Sequence, residues 1–348
     1  MAFVKPVYTK GEINRAGDIL SGSRAATPAD RDWALEVLAN WRACHLYPIN
    51  TFQALLRLRL KDIDGDAIVA QRLKRAASII SKLQRFQGMN LGRMQDIGGL
   101  RAVVTSVARV REVERHYRTA RFRHQLISSK DYILEPKPDG YRGIHLIYRY
   151  SNPRAPEYEG LSLELQIRTR SQHAWATAVE TMGTFLGQAL KSGEGEESWR
   201  HFFSLASAAL AAGEGSPAVP GFEGLPRNEI VMRLAQSERD LRVLTKLSGF
   251  AIATDRIVKT AGQGAFHLVI LDSGARTVSI RPYALARLDE ANRDYAAFEA
   301  RATAGEPVEA VLVSAGPVDA LRKAYPNYFL DTQAFVKQLR GFIRDAKQ

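Results

Sequence analysis

Four runs of residues in this sequence have types and spacings suited to phosphate chemistry. The first is Arg72-Leu73-Lys74-Arg75-Ala76-Ala77-Ser78, followed one helical turn later by Lys82. On an extended strand Arg72 and Lys74 point to one face. Ser78 is expected to cap the helix that follows, turning its N–H groups and dipole toward an anion. Three cations and a helix terminus converging on one point suit a triphosphate; taken alone, the run reads more readily as an ordinary basic strand-to-helix junction.

The second run is Asp96-Ile97-Gly98-Gly99-Leu100-Arg101. Asp96 precedes a buried strand, where it could hold Mg²⁺, and Arg101 is a planar cation able to stack on a base or clamp a phosphate. Asp96 as a turn residue paired with Arg101 is an equal alternative. The third run reaches from Lys130 through Lys137, Gly140, Tyr141, Arg142 and Gly143 to His145. Its glycines permit close approach of a ligand to the backbone, and Tyr141 offers an aromatic face for a base. Lys130, Lys137, Arg142 and His145 could bind phosphate or sugar oxygens, although Tyr141 and His145 could also be half-buried core residues.

The fourth run, Leu163-Glu164-Leu165-Gln166-Ile167-Arg168, alternates strictly. Glu164, Gln166 and Arg168 therefore share one face of a strand. If the sheet is covered on both sides that face must point into a site, because an unpaired buried carboxylate is costly; otherwise this is a half-exposed edge strand. Together the runs supply two carboxylates, many cations and planar groups for bases, with no nucleophilic Cys and no Ser–His–Asp arrangement. That is a phosphoryl-transfer kit, in which catalysis is positioning and charge neutralisation. No Walker-type glycine loop occurs, which excludes a P-loop enzyme.

These residues need elements to position them. Residues 1–26 read as irregular. Thr27-Pro28-Ala29-Asp30 starts a helix to about Ala43, and a second helix follows Pro48 across Phe52–Leu60. Strands are expected at Ala67–Lys74, Leu100–Thr105, Arg123–Ser128, Gly143–Tyr150 and Leu161–Thr169. Helices are expected at Ser78–Phe86, Val107–Ala120 and Ser171–Leu190. Strands mixed with helices argue an α/β or α+β fold. Lys191–Ser198 reads as a polar loop, and the Gly- and Pro-rich stretch from Gly213 to Pro226 as a domain boundary. Beyond it, helices are expected at Asn228–Leu247, Tyr283–Arg301, Val318–Ala324 and Thr332–Asp345, with strands near Phe266–Leu271, Thr277–Pro282 and Val308–Ser314. The expected domains are a helical segment 1–62, a catalytic domain 63–224 and a C-terminal domain 225–348.

Composition bounds the rest. The 348 residues carry 49 Lys+Arg against 37 Asp+Glu, a net charge of +12. Within Lys61–Lys130 alone the excess is +9, which favours a polyanionic partner. The single cysteine, Cys44, excludes an internal disulfide and a cysteine-rich zinc site. No apolar run approaches the roughly 20 residues of a membrane helix, and the N-terminus lacks an apolar signal core. A cytoplasmic protein without membrane partners is expected.

In order and spacing the four runs resemble the RelA/SpoT synthetase family, across roughly Asp64 to Phe185. The matching patterns are Arg-x-Lys-x₃-Ser-x₃-Lys, Asp-x₄-Arg, Lys-Asp-Tyr-Ile…Gly-Tyr-x-x-Ile-His and Glu-x-Gln-Ile-Arg-Thr. The resemblance implies a nucleotidyltransferase-like mixed sheet flanked by helices. It also implies a Mg²⁺-dependent pyrophosphokinase that moves the β,γ-pyrophosphate of ATP to a ribose 3′-hydroxyl, usually of GDP or GTP, making (p)ppGpp. By position, Arg72 and Arg101 would sandwich adenine, and Lys74, Ser78 and Lys82 would bind the ATP phosphates. Asp96 and Glu164 would hold Mg²⁺, with Glu164 also deprotonating the attacking hydroxyl. Tyr141 would stack on the acceptor base, and Lys130, His145, Gln166 and Arg168 would complete the phosphate and strand-face contacts. The His-Asp pair of the family's hydrolase domain does not occur, so that domain and the TGS and ACT domains are not expected.

The C-terminal part resembles that of the fused toxin–antitoxin members called CapRel, in which a small α+β pseudo-zinc-finger domain without metal ligands follows a toxic synthetase. Tyr325-Pro326-Asn327-Tyr328 fits their Tyr-x-x-Tyr neutralising motif. Two aromatics there could insert where adenine would stack, blocking ATP in cis, or could simply pack the C-terminal core. This resemblance implies transfer to the 3′-CCA end of tRNA in anti-phage defence, release by a phage capsid protein, and no zinc. A non-catalytic RNA- or partner-binding module is the remaining alternative; the presence of both carboxylates argues against it.

Overall fold

A computed structural model describes every residue except 1–2, 75, 120–122, 187–189, 191–194, 260–263, 273–276, 304–305, 307, 315–327 and 347–348. It divides into two compact units. One comprises Met1–Tyr132 with Gly143–Thr169, the other Ile133–Arg142 with Arg170–Gln348. The boundary expected at 224/225 falls inside the second unit.

In the first unit, helices α1 (Lys10–Ser21), α2 (Pro28–Cys44) and α3 (Leu46–Ile63) precede strand β1 (Ile68–Leu73) and helix α4 (Ala76–Arg85). There follow β2 (Gly98–Val104), α5 (Val107–Thr119), β3 (Gln125–Asp131), β4 (Ile144–Arg149) and β5 (Ser162–Thr169). The five strands form one sheet in the order β1-β2-β5-β4-β3, antiparallel except for the parallel pair β2–β5. The expected mixed sheet flanked by helices is therefore present. The strand bearing Glu164 lies at its centre and not at an edge.

One face of the sheet is apolar. Leu100, Ala102, Val104, Leu146, Tyr148, Leu163, Leu165 and Ile167 are buried on it, as are Phe52 and Leu56 of α3 and Val110, Val113 and Tyr117 of α5. Phe52 stacks on Tyr117 at 5.8 Å and lies 5.3 Å from Tyr148. Burial of each such side chain contributes about 1.5–3 kcal/mol, so the strict alternation in β5 is fixed by this packing.

Three elements differ from expectation here. Residues 1–26 are not wholly irregular: Thr9 and Glu12 form a capping box that starts α1. Ile13, Ala16 and Leu20 of α1 are buried in one cluster with Ala34, Val37 and Leu38 of α2 and Ile79 and Leu83 of α4. Helix α3 begins at Leu46, not after Pro48. Proline is tolerated in a first turn because its missing N–H would have had no helical partner. Helix α4 starts at Ala76, so Ser78 is its third residue and not its cap.

In the second unit, helices α6 (Arg170–Leu186), α7 (Glu197–Gly213), α8 (Arg227–Leu241) and α9 (Val243–Lys259) are followed by strand β6 (Phe266–Asp272). Strand β7 (Thr277–Tyr283), helix α10 (Leu288–Thr303), strand β8 (Val308–Ser314) and helix α11 (Tyr328–Asp345) complete it. Its three strands run β7-β6-β8, all antiparallel. Helix α7 has no counterpart among the expected elements, and the single helix expected over Asn228–Leu247 is two, broken at Arg242 with φ 52°. The helix expected at Val318–Ala324 lies outside the described residues. Among the described residues no helix is long and apolar enough to cross a membrane.

Candidate active site

Cross-strand partners share a face, so register locates the polar residues. One row across the sheet reads Arg72, Gly99, Glu164, Ile147 and Ser128; the next reads Ala70, Arg101, Gln166, His145 and Lys130. All belong to the face opposite the apolar one. Gly99 has no side chain, so none stands between Arg72 and Glu164, two strands or about 10 Å apart.

Glu164 is held by its neighbours. His145 Nδ1 lies 2.7 Å from its Oε1, and Gln166 Nε2 donates to its Oε2 at 2.8 Å. Arg168 Nη2 in turn donates to Gln166 Oε1 at 3.0 Å. Burial pushes the Glu164 carboxyl up, but the His145 hydrogen bond and charge, then Gln166 and Arg168, outweigh it and hold the group down at about 2. A carboxylate at about 2 is a strong hard-cation ligand and a weak proton acceptor at neutral pH. Tyr132, to which sequence gave no role, meets the His145 ring edge-on at 5.3 Å.

The second carboxylate sits at the same end of the sheet. Asp96 is in the turn two residues before β2, not on a strand, and Gly98 is flanked by Leu73 and Leu163. Lys74, just past β1, continues the ladder by donating its N–H to Ile97 O at 2.8 Å. Its Nζ reaches Asp96 Oδ2 at 2.9 Å, while Lys82 Nζ reaches Oδ1 at 3.0 Å. Burial pushes Asp96 up, and the two ammonium groups more than reverse this, so it lies below the usual carboxylate range. For Lys74, burial together with the charges of Lys82 and Arg72 lowers the amine more than Asp96 raises it.

Supporting residues explain how α4 and Lys74 are fixed. Arg42 Nε of α2 donates to Lys74 O at 2.8 Å, and Asn14 Oδ1 of α1 accepts from Gly92 N at 3.0 Å. Ile79 and Leu83 anchor α4, and Ser78 and Lys82, each one residue earlier, lie one turn apart along the helix. Ser78, in the first turn, still contributes one of the N–H groups left open at a helix start.

Asp96 and Glu164 are thus ionised oxygen donors. Among the described residues no group of three His, Cys, Asp or Glu comes together as a metal cage. This donor set fits Mg²⁺, which binds through one or two carboxylates and keeps waters and substrate phosphates as its other ligands. Lys130 is exposed on β3. Gly143 has φ 152°, and a Cβ there would come within 3.1 Å of Arg168 Cγ, which reserves the position for glycine.

Tyr141 belongs to the second unit. Lys137 Nζ lies 5.3 Å from its ring centroid and Trp175 meets it edge-on at 6.4 Å. Arg142 is not available for phosphate: its side chain is 1% exposed and pairs with Glu214 at 2.7 Å. Tyr325 lies outside the described residues, and Tyr328 is the first residue of α11.

Comparison with known proteins places these residues in a family context. Residues 71–183 match the region found in RelA / SpoT proteins. GTP pyrophosphokinase YjbM of Bacillus subtilis (strain 168) is 33% identical over 111 residues, 31% of this chain and 52% of that protein. GTP pyrophosphokinase YwaC of the same organism is 31% identical over 115 residues, 30% of this chain and 52% of that protein. The chain thus spans about half the length of these curated relatives. Among solved structures, small alarmone synthetase 1 from Bacillus subtilis bound to its product pppGpp aligns with a TM-score of 0.43 and 25% identity. That alignment covers 49% of this chain and 88% of that one. A GTP pyrophosphokinase family protein from Streptococcus pneumoniae aligns with a TM-score of 0.43 and 23% identity, covering 51% and 88%. Residues 71–183, about a third of the chain, therefore form a region of the kind found in RelA / SpoT proteins, similar in sequence to part of two curated GTP pyrophosphokinases.

Proposed function

We propose that the chain is a pyrophosphokinase that transfers the β,γ-pyrophosphate of ATP to a ribose 3′-hydroxyl. The observation that carries this is the pair of ionised carboxylates, Glu164 and Asp96, at one end of the sheet beside Arg72, Lys74 and Lys82. Arg72 and Arg101 would hold adenine, and Lys74, Lys82 and the first turn of α4 at Ser78 would hold the phosphates. With nucleotide bound, Lys74 and Lys82 would contact phosphate oxygens in place of Asp96, and Asp96 and Glu164 are the residues that would hold Mg²⁺. Mg²⁺ bound there supplies neutralisation of the charge that builds on the phosphates.

The acceptor's 3′-oxygen then bonds to the β-phosphorus as the bond from that phosphorus to its oxygen bridge with the α-phosphorus breaks. AMP leaves with the bridging oxygen, and the hydroxyl proton passes to a base. Glu164 at about 2 suits the cation-holding part of its expected role better than the base part. Tyr141 would stack on the acceptor base, while Lys130, His145, Gln166 and Arg168 complete the strand face.

Two acceptors each have an observation in their favour. Resemblance to the fused toxin–antitoxin proteins and the net charge of +12 favour the 3′-CCA end of tRNA. In that reading Tyr325 and Tyr328 hold the enzyme inactive until a phage capsid protein releases it. The curated relatives, both GTP pyrophosphokinases by name, favour GDP or GTP and alarmone synthesis. The full chain incubated with γ-labelled ATP, Mg²⁺ and GDP, GTP or deacylated tRNA separates them. Label reaching tRNA alone refutes the alarmone reading, label on guanine nucleotide alone refutes the toxin reading, and no label with any acceptor, for the parent chain and for Tyr328→Ala, refutes pyrophosphate transfer. In the toxin reading Tyr328→Ala raises transfer; an unchanged rate removes the autoinhibitory role.

A further inference from the structure

Within the second unit the loop carrying Tyr141 is bound to α7 by an arrangement whose partners Ser204, Ser207 and Glu214 lie outside the RelA/SpoT-type region. Arg142 is buried, its Nη1 2.7 Å from Glu214 Oε2 and its Nε donating to Ser207 Oγ at 3.1 Å. Ser207 Oγ donates to Gly140 O at 2.6 Å, Ser204 Oγ to Pro138 O at 2.9 Å, and Gln172 Nε2 to Glu214 Oε2 at 3.4 Å. Gly140 has φ 87°, and a Cβ on it would meet Ser207 Cβ at 2.8 Å, so the loop approaches the helix as closely as glycine allows.

A guanidinium taken this far from water costs much of what its ion pair returns. Such a pair is therefore better explained by what it fixes than by what it stabilises. What it fixes is the residue next to it. Tyr141 N donates to Asp139 Oδ1 at 2.9 Å, Lys137 N donates to Tyr141 O at 3.2 Å, and the Lys137 ammonium covers the ring. With Gly140 and Arg142 both tied to α7, the backbone that carries the Tyr141 ring is held on both sides, and the ring lies between Lys137 and Trp175.

We propose that Arg142, Glu214 and Ser207 are positioning residues, a latch that sets the orientation of Tyr141 and through it the fit of the acceptor base. This rests on the reading of Tyr141 given above. It also assigns part of the acceptor specificity to α7, residues 197–213, and to Glu214, outside the matched region 71–183. Restraint of this kind acts on binding of the partner that uses the platform and leaves binding of the other substrate alone.

The test uses the full chain with Glu214→Gln, and with Ser207→Ala as a milder change that keeps the ion pair and serves if Glu214→Gln does not fold. Amide hydrogen exchange at Gly140 and Tyr141 is read alongside KM for ATP, KM for the acceptor and kcat. The expected result is exchange faster by about tenfold at those two amides, an acceptor KM raised about tenfold, and an ATP KM within about twofold of the parent. In a Tyr141→Ala background the same substitutions are expected to leave the acceptor KM where Tyr141→Ala alone puts it, which a general loss of structure would not do. Unchanged exchange in both variants overturns the latch. Faster exchange with an unchanged acceptor KM, or with both KM values raised equally, overturns the positioning role. If the parent chain transfers no pyrophosphate, the proposed function fails, and the exchange result still decides whether the latch holds the loop.

Discussion

Replacing Glu164 by Gln keeps the shape of the side chain and removes its charge, and the pH at which the loss appears tests the description of the site. The carboxyl is held at about 2 against an ordinary 4.5. That gap corresponds to about 3.5 kcal/mol of stability at neutral pH. The folded-state value is the depressed one, so the contribution is complete above about pH 5 and is lost as pH falls through 4.5 toward 2. By pH 3 it has shrunk to about 1.5 kcal/mol. The Glu164 side chain is only 12% exposed, so solvent screening removes little of this. Glu164→Gln has no such titration. Its destabilisation relative to the parent should therefore be about 2 kcal/mol smaller at pH 3 than at pH 7, whatever pH-independent part the amide adds. Urea unfolding across that range in chelator, with the two units fitted as separate transitions, gives the difference directly. A difference that stays flat would mean that the His145–Glu164–Gln166 chain does not hold a charge. The same variant should transfer no pyrophosphate while remaining folded, and turnover like the parent's would remove Glu164 from the reaction.

Three further outcomes follow from the same geometry. Asp96→Asn leaves Lys74 without the group that opposes its burial, so its amine should fall further and react faster with an acylating reagent at pH 8; quantitative mass spectrometry showing an unchanged rate would count against the Lys74–Asp96–Lys82 cluster. Burial raises Glu238 to about 7, overcoming its hydrogen bonds from Leu244 N and Val243 N and the charges of Arg340 and Lys246. Because this folded-state value is the raised one, stability is fullest below 4.5, falls as pH rises from 4.5 to 7 and is level above it, so Glu238→Gln should gain of the order of 3 kcal/mol at pH 8.5 and little at pH 4; equal gains at both, by thermal melts, would contradict the assignment. Arg242→Gly, at a left-handed φ of 52°, should stabilise the second unit by about 1 kcal/mol, and a lowered melting temperature would show that the Arg242 side chain matters more than its backbone.

Much of the sheet and its polar face could be read from sequence because β5 alternates strictly, and alternation is a local signal that fixes which side each residue takes. The order of strands is not local. Nothing in the sequence of β5 distinguishes a central strand from an edge one, and the polar alternation that suggests an edge belongs here to the central strand, whose second face carries the proposed site. Helix α1 is legible in the sequence too: Thr9 and Glu12 spell a capping box, and Ile13, Ala16 and Leu20 follow at helical spacing. Ser78 was misplaced by two residues, the ordinary uncertainty of helix ends. Arg142 and Glu214 could not have been paired from sequence, since they are 72 residues apart and only folding brings α7 against the loop. In sequence Arg142 is indistinguishable from the neighbouring cations of its phosphate-suited run.

The second unit also shows why the cut drawn between 224 and 225 does not isolate a catalytic piece. Its core is continuous: Trp175, Phe185, Phe202 and Phe203 of α6 and α7 are buried in one cluster with Leu234, Leu244, Phe250, Phe335 and Leu339. Phe185 stacks on Phe250 at 4.1 Å and Phe203 on Phe335 at 6.2 Å. His173 Nε2 meets Asp331 Oδ2 at 3.1 Å, and Gln338 donates to Ser171. Each large apolar side chain stripped of its partners forfeits about 1.5–3 kcal/mol, and a domain has only about 5–15 kcal/mol in total. Removing residues 225–348 would therefore unsettle α6 and α7, the helices that hold the Tyr141 loop, before it could reveal what the C-terminal segment regulates. The autoinhibition proposed for that segment is better probed by point substitutions on an intact core, which is why Tyr328→Ala is the more telling test.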